Sequence, residues 1–171
     1  NYYSEHKFSV LHLIGEKTTM YDGKVAHLIS QYAGFSLDPS HANCIASHKR
    51  TMHTIIPGMI ARDGVPLVTF GVMGGQMQPQ GHLQLVSNLI DFNMDVQSAL
   101  DAPRFRVMDD GSLSLERGIS DSVSNQLRDK GHQIMTPNTF FGGGQAILVH
   151  PEYKTLIAGS DPRRDGCAIG Y

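Results

Sequence analysis

The chain has 171 residues, of which 40% are hydrophobic and 18% charged, with a formal net charge of -2. That balance is ordinary for a globular protein and excludes a disordered segment, and the length allows one domain with a real core and barely two. Without any run of Lys or Arg a nucleic-acid surface is excluded, and the longest apolar stretches are strand-sized, well short of a membrane span. Two cysteines, Cys44 and Cys167, are too few for a disulfide framework and read as free thiols. Asn1 opens a polar, aromatic segment lacking an initiating Met, a basic region or a small-residue cleavage site. No secretory leader is therefore read, and the natural start is expected to lie upstream.

In chain order, Phe8, Leu11, His12 and Ile14 fall at near-helical spacing, which predicts the end of a helix over 8–16, broken by Gly15 and Lys17-Thr18-Thr19. Residues 24–30 alternate and predict a strand. Residues 32–49, rich in Gly, Ser, Asp, Pro, His and Asn, predict a loop. Two apolar runs, 55–61 and 65–71, flank Arg62-Asp63-Gly64, and Asp-Gly between such runs is a strong hairpin signal, although Pro57 weakens the first run. The turn Gly71-Val72-Met73-Gly74-Gly75 feeds a helix with Pro79 near its start, in which Leu83, Val86, Leu89 and Ile90 repeat at three- and four-residue steps. Asp95 caps a short helix through Ala99 and Leu100 that Pro103 ends. Residues 112–116 alternate as a strand. Ser120 caps a helix carrying Val123 and Leu127, with Gly131 as its stop. A last hairpin joins 145–150 to 155–158 around Pro151-Glu152-Tyr153-Lys154. Antiparallel hairpins packed under helices predict an α+β layered domain.

Thr18-Thr19 stands where the predicted helix ends and a strand region begins. A threonine hydroxyl is a poor nucleophile unless a base takes its proton. Cutting the chain before the Thr supplies one, because an α-amine titrates near pH ~7.7–8.0. The bland alternative is that a Thr pair at a strand start reflects β-propensity alone. Gly74-Gly75 lies between a strand and a helix, where backbone N–H groups serve an oxyanion well. It reads equally as a connector that needs positive φ. A phosphate-binding loop is excluded, since there is no Gly-Lys-Ser/Thr and no Gly-x-Gly-x-x-Gly. His41, Cys44, His48 and His53 cluster, but their spacing matches none of the common zinc patterns, so no metal site is assigned. Cys44 with a nearby His is a weak second candidate for a nucleophile. Arg163-Arg164-Asp165 reads as solvated surface.

Taken together, these stretches resemble the γ-glutamyltransferase family. Thr18-Thr19-Met20-Tyr21 is similar to the Thr-Thr-x-Tyr start of that family's small subunit, whose first Thr is exposed by self-cleavage. Lys49-Arg50 followed by Pro57 resembles its Lys-Arg-Pro-Leu-Ser-Ser-x-x-Pro segment, and Gly71-Val72-Met73-Gly74-Gly75 its Gly-Ser-Pro-Gly-Gly oxyanion turn. Asp101-Ala102-Pro103-Arg104, Gly159-Ser160-Asp161-Pro162-Arg163 and Gly170-Tyr171 are also similar to family segments. Three departures stand out. The chain is shorter than the family pattern between Glu16 and Lys17 and around Tyr21-Asp22 and Gln31-Tyr32. His53-Thr54 replaces the Ser-Ser pair. Gly34-Phe35-Ser36 replaces an Asp-Phe-Ser stretch whose carboxylate grips the substrate's ammonium group.

The resemblance implies a four-layer αββα sandwich of the N-terminal-nucleophile hydrolase type. In that reading 1–17 is the tail of a large-subunit portion and 18–171 the small-subunit catalytic portion of one domain. It implies acyl transfer or amide hydrolysis with Thr18 as nucleophile, Gly74 and Gly75 as oxyanion donors, and Thr54, His53 and Gly34 at the substrate. It implies no metal and no organic cofactor. The partners it implies are a γ-glutamyl or related acyl-amide small molecule and the large-subunit portion of the same precursor, which supplies an Arg for the substrate carboxylate. No nucleic acid or membrane partner is expected. The protein reads as soluble, with cytoplasmic and exported locations and homo-oligomerisation all left open. Loss of the carboxylate at Gly34 points toward acylase-like relatives, and the alternative from another class is a non-catalytic binding or scaffold homologue.

Overall fold

A computed structural model describes residues 8–12, 20–21, 24–25, 36–44, 46–50, 54–135 and 140–170. Its centre is a five-stranded sheet built from β1 (Phe8–His12), β4 (Gly58–Arg62), β5 (Val65–Met73), β9 (Gly143–Val149) and β10 (Leu156–Ser160), side by side in that order. Every neighbouring pair is antiparallel. A two-stranded ribbon, β2 (Met20–Tyr21) with β3 (Lys24–Val25), stands apart from it.

The β4–β5 hairpin forms where Asp-Gly predicted it. Asp63 and Gly64 both take positive φ (50° and 79°), as a two-residue turn matched to strand twist requires. Pro66 is tolerated in this central strand because the ladder with β9 begins only at Val68 and the ladder with β4 is irregular at Ile60/Ala61. The β9–β10 hairpin also matches its prediction. The segment expected as a helix end is instead β1, paired along its whole length with β4. Five residues are too short for their period to separate helix from strand, and pairing with the edge of β4 decides the matter. Of the strand expected over 24–30, β3 covers Lys24–Val25 and the remainder lies outside the described residues.

Helices α1 (Met77–Ile90) and α2 (Val96–Asp101) cover one face of the sheet. Val68, Phe70, Val72 and Ala146 point from β5 and β9 into Leu85 and Leu89 of α1 and Val96, Ala99 and Leu100 of α2. Asp95 caps α2 as expected, its carboxylate accepting the Ser98 N–H at 3.0 Å. Of the apolar repeat that predicted α1, Val86, Leu89 and Ile90 pack on the core and Leu83 does not. Leu83 is 63% exposed, whereas His82 is fully buried and accepts the Val72 N–H through Nε2 at 3.0 Å. Apolar periodicity missed this because the residue that belongs on the buried face is a hydrogen-bonded histidine. The opposite face of the sheet carries Thr69, Met73, Ile147 and Leu156, all exposed.

A three-stranded layer of β6 (Phe105–Val107), β7 (Leu113–Leu115) and β8 (Ile134–Met135) flanks α1. The β7–β8 pair is parallel and is crossed over by α3 (Asp121–Asp129), which Ser120 caps as predicted. Gln80 and Gln84 of α1 each exchange two hydrogen bonds with β6. Gln80 serves Val107 (2.7 and 3.1 Å) and Gln84 serves Phe105 (2.9 and 2.9 Å), so their carboxamides act as an additional strand edge.

Four charged side chains tie the layers together. Arg104 meets the fully buried Asp161 at 2.7 Å. Asp161 also accepts N–H groups from Gly144 (2.7 Å) and Arg163 (2.9 Å). Arg163 forks onto Glu116 with two 2.6 Å bonds and covers the carbonyls of Leu100 and Ala102 at the end of α2. Burial by itself raises the Asp161 pKa, but the two N–H bonds and the Arg104 charge outweigh it and hold the carboxyl below the usual carboxylate range. Hydrogen bonding to Glu116 raises the Arg163 pKa. The expectation of a solvated Arg163-Arg164-Asp165 surface is therefore corrected at Arg163, which the fold draws inward.

Candidate active site

Strand β5 ends at Met73 and α1 begins at Met77, leaving Gly74-Gly75-Gln76 to reverse the chain. Gly74 has φ 130° and Gly75 φ 60°, both in the region open to glycine. A Cβ on Gly74 would come within 3.1 Å of Phe140 and of Met77. The carbonyl of Gly74 accepts the Met77 N–H and that of Gly75 accepts the Gln78 N–H, each at 3.0 Å, so both carbonyls aim into the first turn of α1. The peptide between Gly74 and Gly75 is trans, and its N–H therefore points the opposite way, off the end of the helix. Among the described residues, neither the Gly74 nor the Gly75 N–H meets a hydrogen-bond acceptor. Two such donors at a helix N-terminus, where the macrodipole is positive, are an arrangement that can seat an oxyanion.

Gln78 joins this turn to Thr54. Its side chain is buried, its Nε2 donates to the carbonyls of Thr54 (2.9 Å) and Gly75 (3.3 Å), and its Oε1 accepts the Ile56 N–H (3.3 Å). Thr54, half-buried, is thus held beside the Gly-Gly turn. On the other flank Phe140, 40% exposed, packs against Gly74, and the Arg164 guanidinium lies 3.8 Å above its ring. Gln78, Phe140 and Arg164 escaped the sequence reading. Only the density of glutamines in Gln76-Met77-Gln78-Pro79-Gln80 hinted that this helix start does more than pack.

Three of the residues singled out for the site, Thr18, Gly34 and His53, lie outside the described residues. The loop holding His41, Cys44 and His48 is closed by its own contacts. His41 Nδ1 accepts the Asn43 N–H at 3.0 Å, and Lys49 Nζ donates to the Cys44 carbonyl at 2.9 Å. Cys44 is a buried free thiol and Cys167 an exposed one.

The γ-glutamyltranspeptidase family profile matches residues 17–171. The chain is 34% identical over 144 residues to the glutathione hydrolase-like YwrD proenzyme of Bacillus subtilis, covering 80% of this chain and 27% of that protein. It superposes on cephalosporin acylase from Bacillus halodurans with a TM-score of 0.67 and 42% identity, covering 80% of this chain and 26% of the other. For the γ-glutamyltranspeptidase of Helicobacter pylori the TM-score is 0.63 at 31% identity, covering 72% of this chain and 68% of the other. The chain thus spans about a quarter of the YwrD proenzyme and of the acylase chain. The fold is that of the N-terminal-nucleophile hydrolases, an α+β sandwich of αββα layers, to which the described residues contribute one helical layer and the sheet beneath it. The chain belongs to the γ-glutamyltranspeptidase family.

Proposed function

We propose that residues 18–171 form the catalytic, small-subunit portion of an amide hydrolase and acyl transferase acting on γ-glutamyl or related acyl amides. Residues 1–17 are then the end of the large-subunit portion. The observation that carries this reading is the Gly74-Gly75 turn, whose N–H groups meet no acceptor among the described residues and whose Gly75 N–H points off the N-terminus of α1. Cleavage between Lys17 and Thr18 frees an α-amine. That amine takes the Thr18 hydroxyl proton as Oγ attacks the substrate carbonyl, and Gly74 and Gly75 hold the oxyanion. Collapse expels the leaving amine with the proton. Water, or an acceptor amine, then attacks the acyl ester and restores the Thr18 hydroxyl. Thr54 and His53 line the acyl pocket. The exposed apolar face of the sheet, with Met73, Ile147 and Leu156, fits a second sheet from the large-subunit portion of the same precursor, which also supplies an Arg to the substrate carboxylate.

A second reading concerns the acyl group. Gly34 stands where the family resemblance places the carboxylate that grips an ammonium group, and the likeness to a cephalosporin acylase points the same way. Loss of one charge-assisted contact, about 1.5–3 kcal/mol, removes roughly ten- to a hundredfold of γ-glutamyl preference. Glutaryl amides are then handled about as well as γ-glutamyl amides. The test uses the full-length protein and matched γ-glutamyl and glutaryl anilides. Thr18→Ala is expected to abolish both cleavage before residue 18 and turnover of either substrate. Near-normal turnover by Thr18→Ala overturns the nucleophile. No turnover by the unmodified protein favours the non-catalytic homologue, and a strong γ-glutamyl preference overturns the acylase-like reading.

A further inference from the structure

We infer that Gln78 is a positioning residue that locks the acyl-pocket segment to the oxyanion turn, an inference that rests on the function proposed above. A neutral carboxamide offers one acceptor and two donors, and all three are committed here. Nε2 donates to Thr54 O at 2.9 Å and to Gly75 O at 3.3 Å, while Oε1 accepts Ile56 N–H at 3.3 Å. Rotating the amide by half a turn would set its nitrogen against the Ile56 N–H and its oxygen against two carbonyls, so the network determines the orientation. Thr54 O and Ile56 N–H, two residues apart, are both met by this one carboxamide. Gln78 therefore stands to residues 54–56 as a neighbouring strand would, as Gln80 and Gln84 do to β6 on another side of the same helix.

The consequence lies in what the three bonds join. Gly75 O is held twice by the same residue, by the Gln78 main-chain N–H at 3.0 Å and by its Nε2. The orientation of the turn that presents the oxyanion donors is thereby tied to the position of Thr54. Gln78 is only 5% exposed, so water cannot readily replace the bonds it loses. A carboxamide that merely filled space would leave turn and segment free to shift independently. An acyl-transfer site tolerates little of that, since a displacement of about 1 Å can cost about a hundredfold in rate.

The experiment measures steady-state kinetics of full-length Gln78→Leu and Gln78→Glu, alongside unmodified protein and Thr18→Ala, with a γ-glutamyl anilide. Active-site titration of acyl-enzyme gives kcat per competent molecule. In Gln78→Leu, kcat per competent molecule falls about 10- to 100-fold. In Gln78→Glu the carboxylate repels both carbonyls, and protonation restores one donor. The ratio of its kcat to that of the unmodified protein therefore rises as pH falls from 8 to 6. A Leu variant within threefold of normal per competent molecule overturns the inference, as does a flat ratio for the Glu variant. If the Leu variant fails to fold, the Glu ratio alone decides. Thr18→Ala that keeps turnover refutes the proposed chemistry instead, which separates the two failures.

Discussion

At Gly75 a φ of 60° and the need for an outward N–H meet in one residue. A β-branched side chain there is forced from the left-handed region, and the peptide that carries the donor must turn with it. Gly75→Val in the full-length protein is accordingly expected to lower kcat by about 10²–10³-fold, the usual loss for one oxyanion donor. The thermal midpoint is expected to change far less than activity. The measurement is kcat for a γ-glutamyl anilide together with a melting curve, and an equal loss of folded protein and of activity would remove the catalytic reading of that turn. Of the residues around this site, the Gly74-Gly75 turn was legible because two adjacent glycines between a strand and a helix mark a local backbone break. Gln78 was not legible, because its partners at Thr54 and Ile56 lie more than twenty residues earlier and only the folded chain brings them together.

Among the elements, α1 decides where the site stands. Its first turn follows the Gly74-Gly75 turn, its buried face seats it on β5, and its glutamines reach both flanks. Leu85, 1% exposed, packs within the core beneath it. Leu85→Ala leaves a cavity against β5 and is expected to cost about 2–5 kcal/mol of stability, read as a shift in the urea midpoint. Leu83→Ala, on the solvent face at 63% exposure, serves as the comparison and should cost under about 0.5 kcal/mol. Equal effects at the two positions would restore the helix face that apolar spacing suggested. That spacing placed the helix correctly and its orientation only in part, since a buried histidine and a buried glutamine do not register as apolar.

For the whole molecule, the charged cluster of Arg104, Asp161, Arg163 and Glu116 holds α2, the β6–β7 layer and the end of β10 in one arrangement. Asp161→Asn leaves the Arg104 charge buried without its counter-ion and is expected to cost about 3–5 kcal/mol in urea unfolding. The pH dependence follows from the folded-state pKa of Asp161, which lies below its unfolded value. The carboxylate's contribution is complete above the unfolded pKa of about 3.9 and is lost as pH falls through the lower folded value. Unfolding curves from pH 6 to 2 should therefore show an acid-dependent loss in the unmodified protein that is smaller in Asp161→Asn. Identical acid dependence in the two proteins would assign the loss to other carboxylates.

The hairpins at Asp63-Gly64 and 151–154, the capped helices α2 and α3, the Gly-Gly break and the membership of the family were all legible along the chain. Each of these depends on contacts within a few residues or on a pattern of residue types along the chain. The tertiary structure alone decided that residues 8–12 add a strand to β4, that α1 turns His82 rather than Leu83 inward, and that Arg163 closes a charged cluster. In each case the local preference is weak or ambiguous, and a partner distant in sequence settles it: an open strand edge, a backbone N–H seeking an acceptor, or a buried carboxylate seeking a cation.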